Sequence, residues 1–201
     1  MAKQVVNRTY TASIRNHQQV SDDLDSLGFA ASKLWNVGRW TCDRIWSEIG
    51  HIPGHSELTA YLKKHERYSD LHSQSSQRVL QELAEAFDGW YGKRRNGDIR
   101  ANPPGYRKHG DKHPRSTITF KAAGFKFDTQ YSRVRLSKGS NLKNHFSDFI
   151  LCEFQTRPDV DLSTVESIQQ VRAVWTGYQW ELHFVCRVEV KISDSPVDKT
   201  V

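Results

Sequence analysis

Pro103-Pro104-Gly105 separates two hydrophobic rhythms in this chain. Proline fixes φ and carries no amide proton, so this turn cannot join a helix interior or a central strand. Before it, apolar residues recur at spacings of three and four; beyond it, the period is two. The outline is one strand, then helices, then several short strands. It predicts an α+β fold: a small antiparallel β-barrel, OB-like, or a sandwich, with the helices inserted as a three-helix bundle.

Residues 4–14 are rich in Val, Thr and Tyr and read as a strand that shares a sheet with the later ones. Residues 18–49 read as a long helix with Leu24, Leu27, Ala31, Leu34, Gly38, Thr41, Ile45 and Ile49 on one face. Trp35, Trp40 and Trp46 widen that stripe, and Trp35 and Trp46 are expected in the core. Asp22, Asp23 and Asp25 lie near its start, where the helix dipole favours anions, and Ser21 is the cap if the helix starts late.

His51-Ile-Pro-Gly-His55 breaks the helix. Two histidines four apart meet a metal only on a continuous helix, which Pro53 and Gly54 prevent, so no metal site is expected. Ser56 is expected to cap a short helix ending near Glu66. Ser73 to about Tyr91 reads as a third helix, with Ser76, Leu80, Leu83, Phe87 and Trp90 on one face and Gln74, Gln77, Arg78 and Gln81 on or beside the other. Gly92 and Asn96-Gly97 end it. Strands are expected at 117–121, 125–128, 133–137, 149–154, 168–175 and 179–190. The domain layout is then a first barrel strand over 1–15, helices over 16–95, the barrel over 96–192 and a linker over 193–201.

Charge is concentrated in one place. Residues 91–145 hold 14 Lys/Arg against 3 Asp, whereas the flanking stretches are slightly acidic. Charge of one sign interleaved with Tyr106, Phe120, Phe125, Phe127 and Tyr131 points to a polyanion partner; the alternative is a solvated basic loop. The candidate backbone contacts within and beside the segment are Arg94, Arg95, Tyr106, Arg107, Lys108, Arg115, Lys121, Lys138 and Lys143.

Catalytic signatures are not visible. The nine histidines form no recognised motif with carboxylates, and there is no G-x-S-x-G, Walker loop or G-x-G-x-x-G. Asp159 and Asp161 read as a turn. Cys42, Cys152 and Cys186 are widely spaced and odd in number, which favours buried, inert thiols in a reducing compartment. No apolar run approaches the ~20 residues of a membrane span, and M-A-K-Q-V-V-N-R lacks a signal-peptide core. The chain reads as cytoplasmic and nucleoid-associated, with no membrane partner.

Across residues 5–201 the chain resembles the N-terminal half of TnpB (OrfB), the transposon-encoded RNA-guided nuclease family related to type V CRISPR effectors. The resembling stretches are L-W-N (34–36), S-E-L-T-A-Y-L-K (56–63), S-x-x-Q-x-V-L-Q-E-L-x-x-A-F (Ser73, then Ser76 to Phe87), N-P-P-G-Y-R-K (102–108), S-T-I-T-F (116–120), V-R-L-S-K-G (134–139) and Y-Q-W-E-L-H-F-V-C (178–186). The resemblance implies a wedge barrel with an inserted recognition lobe, older descriptions of which use helix-turn-helix. Together these would hold a guide RNA from the transposon end and read a short motif in the double-stranded target DNA. It places Gln77 and Ser73 toward that motif, and Thr119 on the barrel strand beside it. His51 to His55 replace a loop that approaches the same duplex, with different residue types.

The RuvC-like nuclease domain of that family has no matching position here, so this chain is expected to be a non-enzyme without a cofactor. The divalent metal would belong to a RuvC domain, separate or C-terminal. Three readings follow: the nucleic-acid-binding portion of a TnpB-like protein, a free-standing nuclease-less RNA-guided regulator, or a protein-interaction domain with a solvated basic loop.

Overall fold

The first strand turns out to be the hinge of the barrel. In the computed structural model, which describes residues 3–108, 115–143 and 147–191, strand β1 (Lys3–Ile14) lies at the centre of a seven-stranded sheet. The side chains of residues 3 and 191 are outside the described set, as is the proposed linker over 193–201. Three helices follow: α1 (His17–Ile49), α2 (His55–Leu62) and α3 (Ser73–Arg95). The remaining strands are β2 (Ile118–Lys121), β3 (Phe125–Asp128), β4 (Arg133–Ser137), β5 (Phe149–Thr156), β6 (Ser167–Trp175) and β7 (Trp180–Lys191).

The order β2-β6-β7-β1-β5-β4-β3 wraps these strands into a nearly closed antiparallel barrel. Side chains alternate across each strand, so one set points inward. Ile118 and Phe120, Val134 and Leu136, Ile150, Cys152 and Phe154, Val171 and Ala173, and Trp180, Leu182, Phe184 and Cys186 are all buried. Phe154 and Phe184 meet with ring centres 4.8 Å apart, and Phe127 packs on both. The three cysteines are buried and free, and burial pushes the Cys152 thiol up to about 12 and those of Cys42 and Cys186 up to about 11. All three are buried, as the spacing predicts.

Two residues separate β1 from α1, and Asn16 does the joining. Its side-chain amide donates to Leu151 O at 2.9 Å and accepts from Glu153 N at 2.9 Å, so it extends the β1–β5 pairing as a main-chain group would. The helix therefore starts at His17, not late, and Ser21 is not its cap. Leu24, Leu27, Ala31 and Leu34 form the buried face. Gly28 admits the Trp180 indole: a Cβ there would lie 2.9 Å from its Cη2.

A second close approach joins helices to barrel. Leu71, just before α3, bridges to Lys138 after β4. A Cβ on Gly139 would sit 2.3 Å from the carbonyl of Asp70. Asn141 then donates to Glu66 O at 3.0 Å and Asp70 Oδ1 at 2.9 Å.

Several boundaries differ from expectation. Trp46 is 52% exposed and is not core: the buried face of α1 ends at Cys42, and Ile49 is exposed as well. Helix α2 begins at His55 with Gly54 in the capping position, where Glu57 accepts the Gly54 N–H at 2.9 Å, so Ser56 does not cap it. It stops at Leu62, and a separate 3-10 turn spans Glu66–Tyr68. Helix α3 continues through Gly92 to Arg95. Asp161 caps a short turn through Ser163 N at 2.8 Å, as the turn reading of that acidic pair predicts.

Candidate nucleic-acid interface

The basic segment begins as a strap on the helices. Trp90 of α3 donates its indole N–H to Ala101 O at 3.0 Å. On α1, Trp35 donates to Gly105 O at 3.0 Å, and Asn36 forms a two-way bridge with the Arg107 main chain at 2.8 and 2.7 Å. Arg39 donates to Pro104 O and pairs with Asp43, whose other oxygen accepts the Tyr106 hydroxyl at 2.9 Å. An extended proline-rich stretch has no ladder of its own. These side chains satisfy its carbonyls and hold it in one conformation.

The strap uses one cation for itself. The Arg107 guanidinium lies 3.8 Å from the Trp35 ring centre and 3.7 Å from Glu82. Burial holds it below the ordinary arginine range, with Glu82 opposing that shift. Lys108 is exposed, as are Lys93, Arg94, Arg95 and Arg100 around the end of α3. None of these five has a carboxylate partner among the described residues, although Arg94 donates to Ile99 O. Lys93 and Arg100 were not singled out in the sequence, though both lie in the same basic stretch. Tyr106 stays a half-exposed hydrogen-bond donor, its phenol pushed up by burial and by Asp43.

Farther along, the cations turn inward. Arg115 forms a two-pronged pair with Asp25, 2.8 Å at its Nη2, and stacks 4.0 Å from the Trp175 ring centre. The bond to Asp25 holds its pKa above the ordinary arginine value. Asp25 also accepts the Trp180 indole N–H at 2.7 Å. Lys138 is 3% exposed and its ammonium meets Asp23 at 2.8 Å. These two charges are consumed in joining α1 to the barrel rather than presented on the surface.

The remaining candidates gather at the opposite end of α3. Ser73 and Gln77 are exposed on its first turns, and Gln77 lies against the Tyr68 hydroxyl. Gln74 accepts the Ala123 N–H at 3.2 Å, which places the helix start beside the β2–β3 turn. Lys143 is exposed and close enough to His72 to help burial hold that imidazole below its ordinary value. On β2, Lys121 is exposed but Thr119 is only 5% exposed; the reachable group in its row is its β6 partner, Arg172, which the sequence does not mark. Arg107 of the strap meets Glu82, five residues and about 8 Å along the α3 axis from Gln77, so the strap runs toward this group, while Arg94 and Arg95 lie at the far end of the helix.

His51 meets Glu57 at 3.0 Å instead of a second histidine. Among the described residues, no three His, Cys, Asp or Glu side chains converge to hold a metal, and no helix is long and apolar enough to cross a membrane. No protein-family model matches this chain, and no curated protein matches it.

Proposed function

We propose that this chain is a nucleic-acid-binding unit of the TnpB-like type, with the barrel as wedge and α1–α3 as the inserted recognition lobe. Its ligands would be a guide RNA and the duplex beside the target. The observation that carries the reading is the strap: side-chain bonds hold Ala101–Lys108 on α1 and α3 while five neighbouring cations remain without carboxylates among the described residues. A pre-ordered backbone with unspent positive charge and a half-exposed tyrosine suits phosphate and stacked-base contact. The exposed Ser73 and Gln77, on the first turns of α3, would read base edges, which glutamine does through its paired donor and acceptor. Phosphate contacts would then set the register of the complex and α3 its preference.

A second reading, a protein-interaction domain, draws on Trp40, Trp46, Tyr61 and Tyr91, which are all exposed on the helices. The two separate by experiment. Nucleic acid extracted from protein purified at low salt is digested with RNase or DNase and sequenced, and affinity for it is titrated with salt. Five phosphate contacts weaken binding on the order of 500-fold between 50 and 200 mM salt. A defined structured RNA that binds with that slope supports the nucleic-acid reading. Clean protein without salt-sensitive binding leaves the interaction-domain reading in its place.

A further inference from the structure

Arginine in this chain repeatedly takes an aromatic ring and a carboxylate together. Arg107 lies 3.8 Å from the Trp35 ring centre and meets Glu82. Arg115 lies 4.0 Å from that of Trp175 and meets Asp25, and Arg39 lies 5.1 Å from that of Phe87 and meets Asp43. Arg44 with Trp40 and Glu48, and Arg133 with Tyr131 and Glu153, repeat the arrangement. The combination suits a planar guanidinium, which can lie against a ring while its N–H groups reach a carboxylate.

One further set of the same parts has no arginine of its own among the described residues. Past Cys42, where the buried face of α1 ends, the last turns of α1 and the 50–54 loop bound a cavity of about 370 Å³ against α3. Ala84, Phe87, Asp88 and Tyr91 line it from α3 at spacings of three and four, and Trp46 lines it from α1. Phe87 is buried, whereas Trp46 and Tyr91 are half exposed. Asp88 is exposed and meets no cation among the described residues, and no described cation lies over Trp46 or Tyr91. The nearby His51 is taken by Glu57 at 3.0 Å. The loop itself is fixed: the Gly50 N–H donates to Trp46 O at 2.8 Å and the Gly54 N–H to Glu57 at 2.9 Å.

We propose that the cavity between Trp46, Asp88 and Tyr91 receives the guanidinium of an arginine on a partner protein. Its rings and its carboxylate are the groups this fold uses for its own arginines, and their charge selects a cation. A volume of this size lies in the range of ordinary ligand pockets. The site shares Trp46 and Tyr91 with the interaction-domain reading and no cation of the strap with the nucleic-acid one, so its failure would leave the RNA titration as it stands.

The test is a titration of the full chain with a blocked Gly-Arg-Gly peptide, read from the Trp46 indole N–H signal in a proton–nitrogen NMR spectrum. That signal is assigned by its loss in Trp46→Phe. Ring contacts and one charged bond support only about millimolar affinity, so the peptide is taken to roughly 50 mM at constant ionic strength. A saturable shift is expected. The citrulline counterpart keeps the shape without the charge and should bind about tenfold more weakly, as should the arginine peptide to Asp88→Asn. Trp46 and Asp88 both reach solvent, and an unchanged thermal midpoint verifies folding in each variant. Absence of a saturable shift overturns the proposal, and so does equal binding of the citrulline peptide or an unaltered affinity in Asp88→Asn.

Discussion

Two groups of cations in the basic segment are put to opposite uses. Lys93, Arg95, Arg100 and Lys108 lie around the strap and reach solvent, whereas Arg115 and Lys138 meet Asp25 and Asp23 on α1. Both populations count equally toward net charge. Only the first can attract a polyanion at low cost, because the second has already exchanged water for a carboxylate. The acidic start of α1, which would suit the helix dipole alone, is instead the counter-charge for the barrel.

Variants can break this division. The largest effect is expected in the joint that holds the neutralised cations: Gly139→Ala should lose about 3 kcal/mol in urea unfolding, since the clash is with backbone and no side chain can move aside. Lys138→Met should cost about 2 kcal/mol, less than a fully buried pair because Asp23 is half exposed, and should leave the salt slope of RNA binding unchanged. A lowered slope would return Lys138 to the binding surface. The converse is Lys93→Gln, Arg95→Gln and Lys108→Gln together, which should reduce that slope by roughly three while unfolding stays within about 0.5 kcal/mol per site. An unchanged slope would move the interface off the strap.

The smallest effect is with pH. Burial holds His72 and His183 below the ordinary histidine value of 6.5, aided by Lys143 at the first and by Arg172, against Glu181, at the second. The unfolded state therefore takes up protons first. Stability is full above the unfolded pKa and declines as pH falls from there through the lower folded values. Thermal midpoints should drop modestly between about pH 7.5 and 5.5, and less so in His72→Gln.

Much of this molecule could be read from period and punctuation. Strands β3 and β4 run over the residues the alternation predicts, because turn residues bound both ends of each. The buried face of α1 is legible from Leu24 to Gly38. Periodicity reports which face is apolar, but not how far along the helix that face is covered, and so Trp46 is misplaced. Charge totals likewise carry no information on pairs 90 or 115 residues apart, such as Arg115–Asp25 and Lys138–Asp23. Asn16 has no sequence signal, and Asn36 is marked only as part of L-W-N: each is an ordinary amide until a main chain arrives beside it. Thr119 alternates correctly with its neighbours, yet all three of Ile118, Thr119 and Phe120 are buried, so alternation does not bring it to the surface.

The pairing of Lys3 with Lys191 also sets a schedule. At ribosomal speeds of about 5–20 residues per second, β1 is made on the order of ten seconds or more before β7 exists to receive it. The contacts within α1, α2 and α3 close much shorter loops and can form in that interval. The barrel closes after the helices, and until it does, β1 has both edges open.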